Sequence, residues 1–141
     1  MNVLRLAIPP LPRFARTARR AFADFAGFHH LGERDADSLI FALGEAVANA
    51  IQHAATRRSI DIRVRVAGDS VVVTVSDRGC GFADPPADRV MLPSAYAEAG
   101  RGFAIMQRFT DFLEVDTKPG RGTIVTFGRH RRDREEHAAA S

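Results

Sequence analysis

Residues 60–76 read Ile60-Asp61-Ile62-Arg63-Val64-Arg65-Val66-Ala67-Gly68-Asp69-Ser70-Val71-Val72-Val73-Thr74-Val75-Ser76. Over 60–67 apolar and polar residues alternate, the period of a strand with one face buried. Gly68-Asp69 is a two-residue reversal, and the valine-rich run 70–76 returns as an antiparallel partner. A sheet is therefore the scaffold, and the segments on either side decide how it is covered.

Upstream, Leu39, Ile40, Leu43, Val47, Ala50 and Ile51 fall at helical spacing, in a helix capped by Asp35 or Asp37 and running to about Ala55. Before it, Phe14, Ala18, Phe22 and Phe25 mark an amphipathic helix over Pro12–Phe28, and Arg13, Arg16, Arg19 and Arg20 read as its solvent face. Residues 1–8 suit a short edge strand ended by Pro9, Pro10 and Pro12. Downstream, residues 77–102 carry several glycines and prolines and no clear period, the mark of a functional or mobile loop. Phe103 to about Phe112 then reads as a helix, Leu113–Thr117 as a strand, Lys118–Gly122 as a turn and Thr123–Phe127 as a last strand. This order predicts an α+β two-layer sandwich: a mixed, largely antiparallel sheet with helices on one face. One domain spans 1–128, and 129–141 is a charged, disordered tail.

Composition narrows the chemistry. A chain of 141 residues holds one domain, and its 45% hydrophobic content suits a packed core without disulfide or metal staples. No apolar run reaches the ~18 residues of a membrane span, and the N-terminus lacks a signal-peptide layout, so a cytoplasmic protein is expected. Lys118 is the sole lysine and is followed by Pro119, which rules out a Walker A loop. A net charge of +3 without an aromatic and basic platform points away from nucleic acid. The single cysteine, Cys80, excludes internal disulfides, and the histidines show no zinc spacing with it.

Four features depart from plain scaffold. Glu45, Asn49 and His53 are spaced four apart, so they share one stripe of a helix otherwise rich in alanine. A carboxylate and an amide one turn apart can hold a hard cation and orient a hydroxyl beside it. Asp77, with Gly79 and Gly81, follows a strand; there a carboxylate can accept a hydrogen bond from an exocyclic amine while glycines admit a flat ring. Gly100-Arg101-Gly102 opens the helix at Phe103, where free N–H groups and the positive dipole end suit phosphate. Gly120-Arg121-Gly122-Thr123 is a tight turn into a strand.

In this order and at these gaps, the four motifs resemble the N, G1, G2 and G3 boxes of the GHKL (Bergerat-fold) ATPases. Within that superfamily the chain is most similar to the stand-alone anti-sigma-factor serine kinases, the SpoIIAB-like and RsbW-like proteins. The resemblance covers roughly residues 1–128 and implies ATP and Mg2+ as ligands. It implies Glu45 as general base, Asn49 as ligand to Mg2+, and His53 in support. Asp77, Gly79, Gly81 and Thr123 would then hold the adenine, and Gly100, Arg101, Gly102 and Phe103 would frame the phosphates. The implied partners are a sigma factor and a STAS-type antagonist phosphorylated on serine, with the chain acting as a homodimer. The lid, Phe82–Ala99, is poor in basic groups: only Arg89 and Arg101 stand near the expected phosphates. That leaves open a nucleotide-binding, partner-switching module without transfer. A detached histidine-kinase catalytic domain fits less well.

Overall fold

In the computed structural model, which describes residues 2–53, 57–79 and 94–132 (backbone alone for 94–100), the hairpin lies in the body of the sheet. Strand β2 (Ile60–Ala67) pairs with β3 (Ser70–Asp77) in antiparallel register from Asp61↔Ser76 to Ala67↔Ser70. Gly68 reverses the chain at φ 61°, a region open to glycine at no steric cost. Strand β1 (Val3–Ile8) forms one edge against β2. On the other side β3 meets β5 (Gly122–His130), and β4 (Phe112–Lys118) closes the far edge, giving the order β1-β2-β3-β5-β4. All four pairings are antiparallel, so the mixed character that the element order left room for is absent among the described residues.

Three helices pack on the sheet: α1 (Ala15–Phe28), entered through a single 3-10 turn at Pro12–Phe14, α2 (Glu33–Gln52) and α3 (Ser94–Phe109). Alternate sheet residues Ile62, Val64, Val73, Val75 and Phe127 meet Phe22, Leu39, Leu43, Val47 and Met106 of the helices in one buried cluster. Each large apolar side chain so buried contributes roughly 1.5–3 kcal/mol, which makes this interface the main stabilising force. The result places α2 between α1 and α3, in contact with both.

The structure differs from the sequence reading at the ends of three elements. Helix α2 begins at Glu33 after Gly32, so neither Asp35 nor Asp37 caps it. Asp35 is instead buried, accepting Nε of Arg129 at 2.7 Å and the backbone N–H of Arg132 at 2.9 Å. Helix α3 starts at Ser94, well before the expected Phe103, and ends at Phe109, just short of the expected end near Phe112. Strand β5 continues to His130, so the expected boundary at 128 falls inside a strand and Arg129 to Arg132 belong to the fold. Their partners explain why. Arg131 Nη2 donates to the carbonyls of His29 and His30 at 3.0 and 3.3 Å, and Arg132 pairs with Asp111. The rest of the tail, 133–141, and the C-terminal end expected for α2 near Ala55 lie outside the described residues.

Candidate functional site

The C-terminal half of α2 carries the polar stripe. Glu45, Asn49 and His53 are each half-buried, while Ala46, Val47 and Ala50 beside them are fully buried against the sheet. The stripe faces α3 and the ends of β3 and β5. Asn49, His53, Asp77, Phe103 and Thr123 line one cavity, with Ala50, Val75 and Val125 among its apolar walls. Four segments far apart in sequence therefore meet at one place.

Glycines make that meeting possible, each for a different steric reason. A Cβ at Gly79 would lie 2.4 Å from the His53 carbonyl oxygen, so only glycine lets the chain after β3 pass the end of α2. At Gly122 the backbone has φ 104° and a Cβ would fall 2.1 Å from the Asp77 carbonyl oxygen. At Gly102 a Cβ would lie 3.1 Å from Asn49 Nδ2 and 3.4 Å from Glu45 Oε2. The backbone of α3 thus rests directly on Glu45 and Asn49, two of the three polar groups of the stripe.

Asp77 is 9% exposed and sits opposite Thr123 in the β3–β5 ladder. Burial raises its pKa above the ordinary 3.8, against the lowering effect of backbone hydrogen bonds from Gly79 and Thr123 and of the His53 charge. The Gly79 N–H donates to Asp77 Oδ1 at 2.8 Å. Thr123 is itself buried, and its hydroxyl is 2.9 Å from that of Thr117. Asn49 Nδ2 is a buried donor with no acceptor among the described residues. An unsatisfied buried amide costs about 1–3 kcal/mol, and a ligand that accepts from it removes that cost.

The cavity is nearly closed. The centre of a water-sized sphere has only about 10 Å³ in which to move, room for a single water, and Phe103 forms one wall. Gly100, Arg101 and Gly102 lie within α3, which starts at Ser94, and not at a helix N-terminus as the sequence suggested. Their N–H groups belong to the helical ladder. Arg101 is exposed and does not line the cavity. Gly81 and Arg89 lie outside the described residues.

Sequence reasoning missed one participant. Thr117 of β4 holds the Thr123 hydroxyl, a cross-strand pairing that only the register reveals.

Comparison with known proteins gives the family and the fold. Residues 8–129 match the family model of the histidine kinase-like ATPase domain. The anti-sigma F factor of Thermoanaerobacter sp. (strain X514) is 36% identical over 124 residues, covering 83% of each chain. That of Bacillus subtilis (strain 168) is 32% identical over 94 residues, covering 62% of this chain and 64% of its own. In fold, the chain resembles the crystal structure of the RsbU and RsbW domains of a Mycobacterium tuberculosis protein, with a TM-score of 0.71 and 21% identity. That match covers 92% of this chain and 32% of the other. The histidine kinase domain of Erythrobacter litoralis EL346 follows at a TM-score of 0.56, also 21% identical, covering 94% of this chain and 65% of that one. No helix among the described residues is long and apolar enough to cross a membrane. The chain belongs to the histidine kinase-like (GHKL) ATPase domain family and, within it, groups with the anti-sigma factors.

Proposed function

We propose that this chain is an ATP-dependent protein serine kinase and anti-sigma factor. It sequesters a sigma factor and phosphorylates a serine of a STAS-domain antagonist, acting as a cytoplasmic homodimer. The observation that carries this reading is that Asp77 and Asn49 line one cavity, while the α3 backbone at Gly102 lies over both Asn49 and Glu45.

In this reading Asp77 accepts a hydrogen bond from the adenine amine, and Thr123 and the close backbone at Gly79 fix the ring. His53 supports Asp77. Mg2+ would supply charge neutralisation at the phosphates. Asn49 fits as its protein ligand, because magnesium is commonly held by one or two protein oxygens together with phosphates and waters. Among the described residues there is no acidic or histidine cluster that would hold an ion alone. Glu45 orients the substrate serine and takes its proton as the hydroxyl oxygen bonds to the γ-phosphorus. The bond from that phosphorus to the β-phosphate oxygen breaks, and ADP leaves.

A cavity with room for one water cannot admit adenine until Phe103 and α3 yield. Gly100 and Gly102 make that yielding cheap, since glycine in a helix interior costs about 1 kcal/mol relative to alanine. Opening α3 there frees the N–H groups that the sequence assigned to phosphate. Incubation with γ-labelled ATP and a STAS-domain antagonist tests the reading: label on an antagonist serine supports it. One observation favours a second reading, nucleotide binding without transfer: Arg101 is exposed and does not line the cavity. In that case ATP binds and the label stays on the nucleotide.

A further inference from the structure

On the helix-covered side of the sheet, β4 and β5 set Leu113 opposite Phe127, Val115 opposite Val125, and then Thr117 opposite Thr123. The first two pairs are apolar and belong to the core or pack against it. The third pair, at the cavity end, carries two hydroxyls where valines of nearly the same shape would continue the apolar pattern.

This row continues into the site. Thr123 also stands opposite Asp77 in the β3–β5 ladder, so Thr117, Thr123 and Asp77 follow one another across three strands. Thr123 and Asp77 line the cavity, and Thr117 does not. The Thr123 backbone N–H donates to Asp77, while its side-chain hydroxyl meets that of Thr117 at 2.9 Å.

A hydroxyl has one proton to give and lone pairs with which to receive. Two acceptors stand near Thr117 Oγ1: the Thr123 hydroxyl at 2.9 Å and the Gly122 carbonyl at 3.4 Å. The first is within the usual O–H···O range and the second well beyond it, so the Thr117 proton goes to Thr123. Thr123, receiving on that side, keeps its own proton for the cavity that it lines. Asp77 accepting beside Thr123 donating is a directional pair. An adenine edge matches it, with an amine that donates next to a ring nitrogen that accepts, whereas guanine presents the reverse order. A site built for one such edge rejects the other, because its buried polar groups are left unpaired.

We infer that Thr117 is a positioning residue for base recognition, fixing the Thr123 hydroxyl as a donor to ring nitrogen N1, beside the adenine amine that donates to Asp77. The inference rests on the nucleotide-binding reading above. It gives a reason for a hydroxyl at an edge-strand position that does not touch the cavity.

The test is calorimetric titration with ATP and with 1-deaza-ATP, in which a C–H replaces N1, both in Mg2+. 7-Deaza-ATP, which keeps N1, is the control. The wild type should bind 1-deaza-ATP about fivefold more weakly than ATP, the effect of one hydrogen bond. Thr117→Val should lose about fivefold for ATP and 7-deaza-ATP, and nothing further for 1-deaza-ATP. Thr117→Ser, which keeps the hydroxyl, should restore the wild-type pattern. An equal loss for all three nucleotides in Thr117→Val would mark a structural role and overturn the inference. So would equal binding of ATP and 1-deaza-ATP by the wild type, a result that needs no variant to fold. Unchanged ATP binding by Thr117→Val overturns it while the nucleotide site stands. Failure of the wild type to bind any of the three overturns the reading of the site as well.

Discussion

Gly102 of α3 sits so close to Asn49 of α2 that a single methyl group there would come within 3.1 Å of Asn49 Nδ2. Two helices that share no sequence neighbourhood are thus in register at the point where phosphates are expected. The contact is tight enough that an alanine would need Asn49 to give by a few tenths of an ångström.

Gly102→Ala should therefore separate stability from binding. Alanine favours the helix by up to about 1 kcal/mol, which holds α3 in its closed form, and the methyl crowds Asn49. Thermal midpoint should stay level or rise, while ATP affinity falls at least tenfold by calorimetry. Far-UV circular dichroism adds a second check. Saturating ATP should reduce the helical signal of the wild type, as the first turns of α3 open, and leave that of Gly102→Ala unchanged.

At the opposite end of α2 lies a purely structural pair. Asp35 is 1% exposed and Arg129 8%, and their contact joins the start of α2 to the end of β5. Removing one partner leaves a buried charge uncompensated. Asp35→Ala should cost about 3–5 kcal/mol in urea unfolding. The double variant Asp35→Leu with Arg129→Met should cost clearly less. Where the chain remains folded, ATP affinity should be close to wild type, because this end does not touch the cavity.

Asp77 gives a pH signature. Its pKa is raised by burial, so the folded state holds the proton more tightly than the unfolded chain does. The stability this adds is present at low pH and is lost as pH rises through the raised value. Relative to Asp77→Asn, the wild type should gain stability as pH is lowered from 7 toward the carboxylate range, read as a narrowing or reversal of the gap in urea midpoints. ATP binding should show the opposite dependence, weakening on acidification as the acceptor carboxylate becomes protonated.

How much of this was legible in the sequence follows from the range of each interaction. The hairpin at 60–77 and the apolar face of α2 are local patterns, and they appear where alternation and helical spacing place them. The convergence of Asn49, Asp77 and Thr123 was legible only because the spaced motifs resemble a known family; no local period brings residue 49 to residue 123. The ends of elements were misread where tertiary partners prevail. Asp35 looked like a cap and is a buried ion-pair partner, and Arg129 looked like the first residue of a wet tail. Helix α3 runs through Gly102, where its backbone packs on Glu45 and Asn49, a contact that no local pattern shows.

The central claim, that Asp77 is the adenine acceptor and Glu45 a base not needed for binding, is tested most directly by titrating ATP with Mg2+ into wild type, Asp77→Asn and Glu45→Ala. The account predicts binding to the wild type, its loss in Asp77→Asn, and near wild-type affinity in Glu45→Ala. Undiminished binding by Asp77→Asn, or no binding by the wild type, would contradict it.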